Sequence, residues 1–161
     1  MPLTFAAPTS DVIPVHVLEP TAFTLWFADQ TDRVKTWVQA NGFKGALGQA
    51  LIVPAPDGKP MIALAGYGDA DQRARGRFSL AGVAEKLPGG TYQIASGLPD
   101  DDLAMQSLGW LLAGYRFDRY RSQTMTDRQL VAPEGLDAEK LEALVAAEVL
   151  TRDLINTPAS D

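Results

Sequence analysis

The sequence predicts an α/β domain in which helices cover a mixed β-sheet. Short β-rich segments alternate with helical ones along the chain, an order typical of a sheet with helices packed on its faces. The turn at Asp57-Gly58 separates two β-rich segments and predicts an antiparallel hairpin, so the sheet is expected to contain both strand directions. A chain of 161 residues, 46% hydrophobic and 21% charged, has the size and composition of one globular domain.

The first half of the chain predicts a helix between β-rich segments. Val34, Trp37 and Val38 recur at the spacing of one helical face. Residues 12–18 are rich in β-branched side chains, but Pro14 lacks a backbone donor, so they predict an edge strand or a strand that begins after the proline. The expected elements are a loosely held arm (1–11), a strand (12–18), a short strand or packed turn (25–27), a helix (29–40) and the hairpin strands (49–54 and 61–65).

The second half predicts three further helices. Leu141, Leu144 and Val145 begin an apolar stripe in the last of them. The carboxylates of Asp100–Asp102 are expected to cap free amides at the start of another helix and to face the positive end of its dipole. The expected elements are helices over 71–87, 100–115 and 137–155, with strands over 91–95 and 130–131.

Composition excludes several classes of protein. Cysteine is absent, which excludes disulfides, thiolate metal sites and cysteine nucleophiles, and His16 is the single histidine, which excludes a multi-histidine metal site. With 14 basic and 20 acidic residues the formal charge is −6, so nucleic acid and anionic membranes are not expected as partners. We find neither an apolar run of about 20 residues nor the pattern of a signal peptide, and we expect a cytoplasmic location.

Gly66-x-Gly68 closes a strand before a helix, the place where phosphate-binding turns lie. Asp71 takes the position of the third glycine of a dinucleotide motif, and no P-loop lysine follows. We therefore interpret these glycines as a tight strand-to-helix turn.

The other candidate groups also favour structural interpretations. His16 lies in an apolar β-pattern and is expected to be packed or hydrogen-bonded rather than catalytic. Three consecutive carboxylates at a helix start do not converge easily on one metal ion. A basic stretch with interleaved aromatic residues could grip an anion or an acidic partner, but a helix C-terminus and solvated loop is the preferred interpretation. Its cations are Arg116, Arg119, Arg121 and Arg128.

Two segments resemble the leucyl (cytosol) aminopeptidase family of di-metal peptidases. One is Leu108–Tyr120, which ends in Tyr-Arg-Phe-Asp-Arg-Tyr, and the other is Leu150–Asp161, which contains Arg-Asp-Leu-Ile-Asn-Thr-Pro. The second resembles the family signature on the helix that enters the catalytic domain. The Ala-Gly-Tyr-Gly turn over 65–68 is also similar to a glycine-rich strand end of the family.

The resemblance implies a macro-domain-like N-terminal domain over residues 1–135, followed by a linker helix over 136–161. It places the family's two divalent metals, zinc or manganese, on ligands downstream of the signature. It therefore assigns no catalytic, cofactor-binding or metal-binding residue to this chain, and it implies hydrolysis by the parent enzyme but none by these 161 residues alone. The expected partners are the catalytic domain and sister subunits of a homo-oligomer, with peptide substrate reached only through the parent.

Three functions remain open. The first is a non-catalytic aminopeptidase domain that serves assembly and active-site access. Its terminal residues 156–161 are then expected to be poorly tied down or to rest on a neighbouring chain. The second is a macro-like module that binds an ADP-ribose-type ligand near Gly66 and Gly68. The third is a stand-alone interaction module.

Overall fold

A five-stranded mixed sheet forms the centre of the computed structural model, which describes residues 3–120 and 126–158. The strands lie in the order β2-β3-β1-β4-β5, with β2 antiparallel to β3 and the other neighbours parallel. Their bounds are β1 (Ile13–Leu18), β2 (Ala50–Pro54), β3 (Pro60–Gly66), β4 (Gly90–Ser96) and β5 (Arg128–Leu130). The predicted α/β class with a mixed sheet is confirmed.

Helices cover both faces of this sheet. The described residues form α1 (Pro20–Ala28), α2 (Asp32–Ala40), α3 (Ala70–Arg73), α4 (Ser79–Ala84), α5 (Asp100–Ala113) and α6 (Ala138–Asn156). Alternation along β1 sends Val15 and Val17 to a core shared with α4 and α5, while Leu18 joins a core shared with α1 and α2. A third cluster joins α5 to α6 through Leu111, Leu112 and Val145. None of the helices in the described ranges is long and apolar enough to cross a bilayer.

The interpretation of β1 as an edge strand is wrong. β1 is the central strand, paired with β3 on one side and β4 on the other. Pro14 is tolerated because the ladder to β3 begins only at Val15, one residue later.

Residues 25–27 lie within α1 and not in a strand or turn. Pro20 occupies its first turn, where a missing backbone donor costs nothing. Ala22, Phe23, Trp26 and Phe27 pack on the core that includes Leu18 and Val34. Ala22 and Trp26, like Phe23 and Phe27, are four residues apart, which is helical spacing. The apolar run over residues 25–27 conceals this spacing in the sequence.

The single helix predicted over 71–87 is two short helices, α3 and α4. Asp69 and Gln72 form a capping box that begins α3. The buried side chain of Gln106 then accepts from the Leu80 amide at 3.0 Å and donates to the Arg77 carbonyl at 3.0 Å. A side chain from α5 therefore supplies hydrogen bonds to backbone groups where α4 begins. The sequence of residues 71–87 alone could not predict this contact.

Both edges of the sheet are covered. At β2, Trp37 Nε1 donates to the Ile52 carbonyl at 2.9 Å and Arg33 donates to the Pro54 carbonyl. At β5, the Ala6 amide donates to the Leu130 carbonyl at 2.8 Å, and the Phe5 amide donates to Glu142 of α6 at 2.9 Å. These side chains and this arm occupy backbone groups that would otherwise recruit another strand. The prediction of a loosely held arm is therefore wrong for residues 5 and 6.

Candidate functional site

The two segments that carry the family resemblance contact each other where α5 ends and α6 finishes. We call this contact the clasp and define it as Tyr115, Arg152, Asp153 and Asn156. The Tyr115 hydroxyl donates to Asp153 Oδ1 at 2.8 Å, and Asn156 Nδ2 donates to the Tyr115 hydroxyl oxygen at 3.2 Å. The Arg152 guanidinium lies 5.4 Å from the centre of the Tyr115 ring. The Tyr115 phenol thus bonds to two residues that lie 38 and 41 positions further along the chain.

Local structure holds each side of the clasp. After α5 ends at Ala113, Arg116 Nη1 donates to the carbonyls of Ala113 and Tyr115 at 3.0 and 2.6 Å, which satisfies acceptors at the helix terminus. On α6, Arg152 is ion-paired with Glu148 one turn earlier at 2.9 Å. The apolar contact of α5 with α6 adjoins these polar bonds, so the helix is held by packing and by directional contacts.

The hydrogen bonds of the clasp orient α6 relative to the end of α5. Partial burial raises the pKa of Tyr115, and the hydrogen bond to Asp153 adds to that rise. A neutral phenol that donates to a carboxylate fixes the relative orientation of two elements, and it is not activated as a nucleophile. A further contact joins Arg119 Nη1 to Thr157 Oγ1 at 3.4 Å.

At the end of α6, the expectation of poorly tied residues is contradicted only in part, because Asn156 and Thr157 bond to Tyr115 and Arg119 but neither is buried in the core. The Thr157 amide and hydroxyl both donate to the Asp153 carbonyl, at 3.0 and 2.7 Å. Residues 159–161 lie outside the described residues.

Arginine side chains of the basic stretch donate hydrogen bonds to backbone carbonyls of this domain. Arg116 bonds the end of α5, as predicted for a helix C-terminus, and Arg128 Nε donates to the Leu87 carbonyl. Arg121 lies outside the described residues. The described cations are therefore arranged for structural contacts and not for gripping an anion.

The glycine turn is tight, as predicted. The amides of Gly66, Tyr67 and Gly68 donate to the carbonyls of Gln49, Leu18 and Gly45 at 2.7 to 3.0 Å. A Cβ at Gly66 would lie 1.9 Å from the Ala46 carbonyl oxygen, and one at Gly68 would lie 2.7 Å from Leu47. The turn has neither free amides nor space for a phosphate.

Acidic and basic groups meet beside this turn. The Tyr67 hydroxyl donates to Asp102 at 2.8 Å. Burial is the main cause that raises the pKa of Tyr67, and this hydrogen bond raises it further. Arg73 lies 4.2 Å from the Tyr67 ring centre and pairs with Glu19 at 2.7 Å. This network ties the ends of β1 and β3 to α5.

The expected capping by Asp100–Asp102 is only partly realised. Pro99 occupies the cap position, where no side-chain bond is made, and all three carboxylates lie in the first turn of α5. They still face the positive end of the helix dipole.

His16 is a packed, hydrogen-bonded residue, as expected. Its Nδ1 lies 2.7 Å from Ser96 Oγ, and its ring centre lies 5.9 Å from that of Trp26. Burial lowers its pKa.

The donor set of a two-metal site does not occur in residues 3–120 and 126–158. No three carboxylate or imidazole groups there are placed to hold one ion. His16 Nδ1 is instead hydrogen-bonded with Ser96 Oγ, and Asp102 accepts from the Tyr67 hydroxyl. The described residues therefore do not fit a pair of catalytic metals.

Comparison with known proteins gives a consistent family. Residues 13–133 match the family model of the M17 aminopeptidase N-terminal domain. A probable cytosol aminopeptidase of Methylorubrum populi is 32% identical over 135 residues, which is 72% of this chain and 27% of the relative. Probable cytosol aminopeptidase 1 of Shewanella oneidensis is 27% identical over 91% of this chain and 33% of the relative.

Solved structures agree with this assignment. The cytosol aminopeptidase from Coxiella burnetii superposes with a TM-score of 0.86 at 26% identity, over 99% of this chain and 34% of that one. The bottromycin maturation enzyme BotP in complex with Mn shares the fold, with a TM-score of 0.64 at 24% identity over 94% of this chain and 33% of that one. The chain spans about a third or less of the length of these relatives. The chain belongs to the M17 aminopeptidase family, and its residues 13–133 correspond to the N-terminal domain of that family.

Proposed function

We propose that this chain is the non-catalytic N-terminal domain of an aminopeptidase that releases N-terminal amino acids from peptides. The clasp is the observation that carries the proposal. It joins the two family segments through Tyr115, Asp153 and Asn156, and it holds α6 at a set angle on the domain. Such a contact is useful where a helix must present a further domain in a defined orientation.

The chemistry is proposed to reside in the part of the relatives that this chain does not span. There, two divalent ions, manganese or zinc, would activate a water molecule and polarise the scissile carbonyl. The Mn complex of BotP agrees with such a requirement. In this chain, residues 1–135 would form the domain and residues 136–161 the linker, and neither would supply a metal ligand.

The domain itself is proposed to serve subunit assembly and access to the active site. Sister subunits and the catalytic domain would be its partners, and peptide would be bound only through the complete enzyme. A cytoplasmic location is supported by the cytosol aminopeptidases among its relatives.

The direct test is an assay of the purified 161-residue chain with Mn²⁺ or Zn²⁺ and leucine amide. No turnover and no stoichiometric metal binding in calorimetry are expected, because residues 3–120 and 126–158 hold no such donor set. The complete Coxiella burnetii enzyme under the same conditions is the positive control. Hydrolysis that co-purifies with the chain and requires added metal would overturn the assignment as non-catalytic.

A chimaera tests the positive half of the proposal. This chain replaces the matching third of the Coxiella burnetii enzyme, with which it superposes over 99% of its length. The chimaera is expected to hydrolyse leucine amide, and a version without any N-terminal domain serves as the reference. An assembled chimaera that is no more active than this reference would contradict a role for the domain in the enzyme.

A further inference from the structure

The outward side of α6 is an apolar surface that nothing in the described structure covers. Its large side chains become more exposed toward the end of the helix. The exposed fractions are 50% for Leu144, 59% for Leu150, 68% for Leu154 and 77% for Ile155. Ala143, Ala147 and Thr151 are exposed on the same side of the helix. We call these seven residues the outer stripe.

Helical geometry separates the outer stripe from the packed side of α6. At 3.6 residues per turn, Leu141, Val145 and Val149 lie on the side that packs against the domain, and the outer stripe lies on the opposite side for about three turns. The charged groups Glu148 and Arg152 border the stripe without entering it. A helix that is apolar on both sides is typical of one buried between two layers.

The relatives indicate what the second layer is. The family model ends at residue 133, before α6 begins at Ala138. The Coxiella burnetii enzyme matches 99% of this chain, α6 included, with only 34% of its own length. In that relative, an equivalent helix therefore adjoins a much larger remainder of the polypeptide.

We propose that the outer stripe packs against the metal-binding two-thirds of an M17 aminopeptidase chain. This inference rests on the proposed function and names the surface through which the domain meets its partner. The clasp and the Leu111–Val145 contact fix the inner side of α6, so the outer stripe is presented as a rigid ridge. Because the stripe carries no charge, the surface that receives it is apolar as well.

The experiment compares amide hydrogen exchange of residues 147–156 in the isolated chain and in the chimaera described above. At least a tenfold slowing in the chimaera is expected, because burial of the outer stripe restrains the last turns of α6. The triple variant Leu150→Gln, Leu154→Gln and Ile155→Gln should lose this slowing, since glutamine retains helix propensity but opposes apolar burial.

Leu25→Gln is the matched control, because Leu25 is 74% exposed on α1 and lies outside the outer stripe. This variant should keep the slowing. Unfolding of each isolated variant in urea verifies that the domain itself is intact.

Three results would overturn the proposal. The first is equal exchange of α6 in the isolated chain and in an assembled chimaera. The second is a dimer of the isolated chain that the triple variant abolishes while the chimaera leaves α6 unprotected, which would assign the stripe to a second copy. The third is failure of the chimaera to assemble where the complete enzyme assembles, because the surfaces then do not fit. Loss of hydrolysis with α6 still protected would instead count against the proposed function alone.

Discussion

Gly66, the last residue of β3, lies directly against the backbone of another segment. A methyl group on its α-carbon would lie 1.9 Å from the Ala46 carbonyl oxygen, and the backbone of that loop is fixed by its own hydrogen bonds. Gly66→Ala is expected to lower the free energy of unfolding by about 3 kcal/mol, measured in urea. Gly76→Ala is the control, because nothing lies within 4 Å of its added methyl group. A loss of stability no larger for Gly66→Ala than for this control would contradict the tight turn.

His16 gives the stability of the domain a pH dependence with a definite sign. Burial lowers its pKa in the folded state, whereas the unfolded chain protonates near the ordinary value of 6.5. As pH falls below about 6.5, the unfolded state binds a proton that the folded state resists, so stability falls.

The variant His16→Gln should therefore lose less stability than the parent between pH 7.5 and 5.5. Urea unfolding at the two pH values measures the difference, and contributions of the carboxylates cancel because they are common to both proteins. His16 is the single histidine, so no other imidazole contributes. Equal losses in the two proteins would show that His16 titrates alike in both states.

The residue types predicted that side chains such as His16 are packed, but they did not predict which residues these side chains bond to. A histidine among β-branched residues indicated a packed side chain, and Ser96 supplies its hydrogen bond. That partner is 80 positions away, and Asp102 reaches Tyr67 across 35. Such pairs depend on how strands and helices stack, which residue chemistry alone does not determine.

At the scale of elements, the clasp predicts how α6 is held. Tyr115→Phe removes the donor to Asp153 and the acceptor for Asn156 while it keeps the ring under Arg152. Exchange of the α6 amides over residues 150–156 should accelerate about fivefold, because both hydrogen bonds of the phenol are lost. Hydrogen exchange measured by mass spectrometry tests this, and α2 in the same molecule is the internal control. Unchanged exchange in α6 would show that apolar packing alone holds the helix.

Periodicity predicted the elements whose packing is simple. α2 and α6 present regular apolar faces, and both lie within a few residues of their predicted bounds. The helix over 71–87 was wrong because its interruption is stabilised by Gln106 from α5. The central position of β1 was missed because strand order follows from crossovers that join distant segments.

At the scale of the whole molecule, charge and backbone bonding oppose a phosphate ligand. The chain carries a formal charge of −6, the amides of 66–68 are bonded internally, and Asp100–Asp102 occupy the first turn of α5. Calorimetry with ADP-ribose is expected to show no binding at ligand concentrations of about 1 mM. A dissociation constant below about 100 µM, with a 1:1 stoichiometry, would favour the ligand-binding alternative.

The family was visible in the sequence, but the clasp was not. Segments 108–120 and 150–161 carried the resemblance separately, and no local rule stated that they touch. Only the packing of α5 on α6 brings Tyr115 to Asp153. The sequence thus predicted the fold class, while the clasp required the tertiary structure.

The N-terminal arm has a consequence for how the protein is made. Its amides bond Leu130 of the last strand and Glu142 of α6, and the second of these contacts spans 137 positions. The ribosome releases the arm before these acceptors, so the arm cannot dock until the chain has been synthesised as far as Glu142. The arm can therefore close the β5 edge only after β5 has been synthesised, and it can bond to α6 only later still.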